Sequence, residues 1–117
     1  MKVKTVGLLL AGILFSFQAF AHDPIGIEMK RDLENNRISI AVEHPVGSGH
    51  SHYIRKIEVL AGSAAPIRKV FRFQKANHQR MTVDIPGLAK ITKIVIKAYC
   101  NKGGFLSRTF TIEKPDQ

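Results

Sequence analysis

The chain has 117 residues, 44% of them hydrophobic, with 18 Lys and Arg against 9 Asp and Glu, a net charge of +9 and a single cysteine. A chain of this size closes one hydrophobic core, because domains cluster at about 100 to 150 residues and smaller ones bury a smaller share of their surface, and one cysteine rules out an internal disulfide. The basic balance by itself suggests nucleic acid, but Lys and Arg are scattered along alternating strand positions, the mark of a solvated face, and no nucleic-acid partner is expected.

The opening segment carries Lys2 and Lys4, then an apolar run from Val6 to Phe17, then Ala19-Phe20-Ala21. These are the three parts of a secretory signal peptide. The apolar run is shorter than the roughly 20 residues of a spanning helix and Gln18 interrupts it, so no stable membrane anchor is expected. Residues 1–21 are therefore read as a cleaved signal and 22–117 as one domain in the periplasm or secreted. The two signal lysines take two of the nine net positive charges with them, leaving +7. In that oxidising setting Cys100 needs burial, a bonding partner or a metal to stay intact.

Beyond the signal, apolar residues recur at period two, which predicts half-buried strands. A short strand is expected near 25–29. Ile38, Ile40 and Val42 then alternate with Arg37, Ser39 and Glu43, Ile57 and Val59 with Lys56 and Glu58, and Phe71 and Phe73 with Arg72. Met81, Val83 and Ile85 alternate with Thr82 and Asp84, Ile94, Ile96 and Ala98 with Lys93 and Lys97, and Phe110 and Ile112 with Thr109, Thr111 and Glu113. Turn chemistry separates them at Glu34-Asn35-Asn36, Gly47-Ser48-Gly49, Ala61-Gly62-Ser63, Pro86-Gly87 and Lys102-Gly103-Gly104. About seven short strands with regular turns predict an all-β, immunoglobulin-like sandwich of two sheets.

Three of the five histidines, His44, His50 and His52, share the loop EHPVGSGHSHY, while His22 stands at the expected mature N-terminus and His78 is isolated. Imidazoles on a glycine-rich loop between two strands suit iron, copper, zinc or nickel, although surface histidines in a basic loop are usually only solvated. Cys100 ends a strand in Ala98-Tyr99-Cys100-Asn101-Lys102-Gly103-Gly104. A free cysteine is commonly a small buried apolar residue, but a strand end beside a turn favours a working thiol.

Taken in order, His22-Asp23-Pro24, His44-Pro45 with His52-Tyr53-Ile54 and Ile57-Glu58, and Tyr99-Cys100-Asn101 resemble the three segments of the iron-binding domain of desulfoferrodoxin and superoxide reductase. The resemblance spans nearly all of 22–117. It implies an immunoglobulin-like sandwich whose mononuclear iron sits among four equatorial histidines and an axial cysteine, with His22, His44, His52 and Cys100 as ligands here. It also implies a small anionic oxidant, superoxide, as substrate and an electron-donor protein as partner; a homodimer is left open. Two features depart from the family. Gly103 stands where the fourth equatorial histidine is expected, and the Glu-Lys lid that precedes the first histidine would fall inside the signal. Any superoxide reductase activity is accordingly expected to be weak, and His50 is expected to fill the position that Gly103 leaves.

Two other classes stay open. The His-Pro start and the Asn-Lys-Gly turn also resemble the thiosulfate-oxidation carrier subunits, non-catalytic binding modules of similar sandwich form. His22, once N-terminal, could also chelate copper through its amine and ring, and zinc suits the same donors.

Overall fold

The structure, a computed structural model, describes residues 23–113. Seven strands follow one another there: β1 (Gly26–Asp32), β2 (Arg37–Glu43), β3 (Ile54–Ala61), β4 (Ile67–Val70), β5 (His78–Asp84), β6 (Lys93–Cys100) and β7 (Phe105–Thr111), with one 3-10 turn, Leu88–Lys90, between β5 and β6. They form two antiparallel sheets, β1-β2-β5 and β4-β3-β6-β7. The all-β, seven-strand sandwich expected from the alternation is therefore the architecture observed. Among the described residues no helix is long and apolar enough to cross a membrane.

The period-two pattern decides which face of each strand is buried. Ile38, Ile40 and Val42 of β2 face Ile57 and Val59 of β3 and Ile94, Ile96 and Ala98 of β6 across the sandwich, all nearly inaccessible to solvent. Each such Ile or Val side chain contributes about 1.5–3 kcal/mol relative to exposure. In the β3–β6 ladder Ile57 lies opposite Ala98, Val59 opposite Ile96 and Ala61 opposite Ile94, so a slip of one residue would carry Lys97 inward and is strongly disfavoured. At the β1–β2 turn, Asp32 accepts the Asn35 backbone N–H at 3.2 Å and its side-chain N–H at 2.8 Å, and Asn36 takes a left-handed φ of 52°, a conformation Asn tolerates.

Two strands lie elsewhere than the alternation suggested. Phe71-Arg72-Phe73 is not a strand; β4 ends at Val70 and pairs only with Lys56–Val59 of β3. The register of β3 shifts between Ile54 and Lys56, and Phe71 donates its N–H to the Arg55 carbonyl at 2.8 Å as the chain leaves the sheet. Phe73 is 56% exposed, and its alternation with Phe71 reflects a loop that turns over one end of the sandwich. On β4 itself Arg68 donates to Glu58 at 2.6 Å, and this bond holds the Glu58 carboxyl below the usual range. β7 also begins earlier than expected, at Phe105, because residues 105–111 pair with Lys93–Tyr99 of β6.

This path gathers three connections at one end: 44–53 between β2 and β3, 71–77 between β4 and β5, and 101–104 between β6 and β7. His44 donates its N–H to the Asn77 carbonyl at 2.8 Å and Gln74 donates to Gly49 at 2.9 Å. The Asn101 side chain donates to the Ser51 carbonyl at 3.1 Å. A Cβ on Gly49 would overlap the Gln74 carbonyl, so the first two loops approach as closely as only glycine allows.

Candidate metal centre

Each of the three chemical side chains at this end is placed by a different element. His44 follows directly on β2 and is fully buried, His52 precedes β3 and is half-buried, and Cys100 is the last residue of β6, with 2% exposure. The alternation that makes Ala98 inward makes Cys100 inward too, and Cys100 pairs with Ile54, two residues past His52. The β-ladder thereby brings together a thiol and an imidazole that lie 48 residues apart.

Asn101 locks the two segments. Its backbone N–H donates to the Tyr53 carbonyl at 2.9 Å, and its side-chain Oδ1 accepts from the Tyr53 N–H at 2.9 Å. The turn after it is tight: Cys100 donates to Gly104 at 2.8 Å and accepts from Gly103 at 3.1 Å, with Gly103 at a φ of 102°. The Lys102 backbone N–H donates to Cys100 Sγ at 3.3 Å, which fixes the position of the sulfur at the turn.

The donor atoms of His44, His52 and Cys100 all lie within 4.8 Å of one another. His52 Nε2 is 3.1 Å from Cys100 Sγ, and the His44 and His52 rings meet edge to face with centroids 4.7 Å apart. Ligands bound at about 2.0–2.3 Å to one ion lie at just such separations from each other. Two imidazole nitrogens and a sulfur are a donor set that iron, zinc and copper accept. The residues present therefore fit a transition-metal ion.

Two further described histidines, His50 and His78, are not part of this trio. His50 is exposed and its ring stacks on Phe73, with centroids 5.9 Å apart and planes inclined by 20°; it is not in the cluster, and its loop is held instead by the Gly49–Gln74 contact. His78 starts β5 opposite Glu43. His22 lies outside the described residues. Gly103, expected to leave a ligand position empty, occupies a turn that calls for positive φ.

Gln74, 3% exposed on the 71–77 connection, is a further residue of this end that no sequence motif marks. It accepts the Ile54 N–H at 3.1 Å and lies 2.9 Å from His44 Nδ1, and it donates to the His44 and Ala76 carbonyls at 2.6 and 3.0 Å. The only trace in the sequence is a polar residue beside two phenylalanines, which reads as surface.

The described residues thus form a seven-stranded antiparallel sandwich with a His-His-Cys cluster at one end that could hold a metal ion. Among solved structures the chain is similar to the superoxide reductase from Giardia intestinalis, with a TM-score of 0.57 and 18% identity over 77% of this chain and 99% of that one. It also matches a superoxide reductase, neelaredoxin, from Ignicoccus hospitalis (TM-score 0.47, 17% identity, 80% and 82% coverage) and a superoxide reductase in the oxidised state (TM-score 0.46, 21% identity, 79% and 88% coverage). No protein-family model and no curated protein matches the sequence. The chain thus has the fold of a desulfoferrodoxin or superoxide reductase domain.

Proposed function

We propose that this chain is an exported metalloprotein that holds one iron ion through His44, His52, Cys100 and His22 and reduces superoxide weakly, drawing electrons from a donor protein. The observation that carries the reading is the convergence of His44, His52 and Cys100, from three elements, to within 4.8 Å. Bound iron would supply the one-electron chemistry, with superoxide and two protons consumed and hydrogen peroxide formed.

The protein's own groups do the rest. The Lys102 N–H donates to Cys100 Sγ and fixes its position, and the Asn101 bonds hold the cysteine turn against the His52 segment. The net positive charge favours approach of an anion. Gly103 offers no ligand, which accounts for expecting weak rather than efficient turnover.

Anaerobic loading with ferrous iron followed by oxidation tests the reading. The expected result is one iron per chain and a visible thiolate-to-ferric absorption band that Cys100→Ser abolishes. Absence of iron uptake, or a spectrum that Cys100→Ser leaves unchanged, would refute it.

A further inference from the structure

Gln74 settles a question that the ligand atoms alone leave open: which nitrogen of His44 is available to an ion. Its Nε2 lies 2.6 Å from the His44 carbonyl and 3.0 Å from the Ala76 carbonyl. Both partners can only accept, so this end of the amide is the NH2 group. Its Oε1 lies 3.1 Å from the Ile54 backbone nitrogen, which can only donate. Three backbone groups therefore fix the orientation of the amide without reference to the histidine.

The same Oε1 lies 2.9 Å from His44 Nδ1. An amide oxygen has no hydrogen to give, so Nδ1 carries the proton and donates it. In the neutral ring the lone pair then resides on Nε2. The opposite tautomer would set two lone pairs against each other in a buried setting, where polar groups without partners are costly.

We infer that Gln74 is the positioning residue that selects the Nδ1–H tautomer of His44 and so leaves Nε2 as the metal-binding atom. The purpose of this device rests on the metal-binding reading above, whereas the tautomer does not. Gln74 is itself clamped, since its backbone N–H donates to Gly49 at 2.9 Å and a Cβ on Gly49 would collide with its carbonyl. The loop that carries His44 and His52 thus also holds the residue that orients His44.

The experiment is a two-bond 1H–15N correlation spectrum of the His44 ring in metal-free protein at neutral pH, paired with titration by cobalt(II). Wild type should show a protonated Nδ1 and an unprotonated Nε2. Gln74→Glu keeps the acceptor but loses both donated bonds, and should keep this tautomer. Gln74→Leu should shift the ring toward the Nε2–H form and weaken cobalt binding by about 10–100-fold, the usual effect of losing a partner of a ligating histidine.

An Nε2–H ring in wild type overturns the inference, as does a Gln74→Leu protein with unchanged tautomer and affinity. A Gln74→Glu protein that loses the tautomer along with Gln74→Leu would reduce Gln74 to a loop brace and also overturn it. If Gln74→Leu fails to fold, the wild-type and Gln74→Glu spectra still decide. Wild type with the stated tautomer but no cobalt uptake would uphold the assignment while defeating the metal reading.

Discussion

His50 and His52 sit two residues apart on one glycine-rich loop, yet their surroundings differ completely. His52 Nε2 lies against the Cys100 sulfur, while the His50 ring lies flat on exposed Phe73. In the sequence, a spare imidazole and neighbouring glycines suggest an adaptable loop that lets His50 replace the ligand missing at Gly103. The structure shows the loop to be pinned, with His52 N–H bonded to Ser48 at 3.0 Å and Gly49 held by Gln74. His52→Ala should therefore lower cobalt or iron affinity by at least tenfold, whereas His50→Ala should leave it within about twofold; calorimetric titration of the two variants distinguishes them. Equal losses would place His50 at the ion after all.

At the level of elements, the cysteine turn shows why the fourth histidine is not simply restored. Gly103 has a φ of 102°, and a Cβ there meets no neighbouring atom, so conformation and not space restricts the position. Non-glycine residues in sparsely populated backbone regions cost about 1–3 kcal/mol. Gly103→His should then lower the stability of metal-free protein by that amount, measured by urea unfolding, unless the turn rearranges. Metal binding would offset the loss only if the new ring reaches the ion. A variant as stable as wild type without metal would show that the turn adapts freely and that strain is not what excludes histidine.

Across the whole molecule, the candidate centre lies at one end of the sandwich, where the 44–53 connection meets the end of β6. An ion bound there stabilises the folded state by mass action, about 2.7 kcal/mol at a free concentration 100 times Kd. For a domain of this size that corresponds to a rise in Tm of roughly 10–20 °C. Calorimetry under anaerobic conditions with ferrous iron should show this rise in wild type and little of it in Cys100→Ser; no shift at saturating iron would mean that the cluster does not bind it. The export reading also places His22 at the start of the mature chain. Intact mass of protein recovered from an exported fraction should match residues 22–117, and a mass for all 117 residues would remove the free His22 amine from any account of the site.

What the sequence determined by itself is the sandwich: repeated alternation of Ile, Val and Ala with mostly polar residues over several segments buries one face per strand, which a layered β-fold satisfies. It also pointed to His22, His44, His50, His52 and Cys100, through short motifs whose order resembles that of a known family. Only the tertiary structure decided which imidazoles meet the thiol, because that depends on register, with Cys100 opposite Ile54, and on loop contacts such as Gly49 against Gln74. The strand placed at Phe71–Phe73 failed for the same reason, since loop residues that cover a sandwich end can alternate without pairing. Gln74 was illegible for a further cause. A buried amide is defined by its partners, and the backbone groups that bind it come from Ile54, His44 and Ala76, brought together only once the chain has folded.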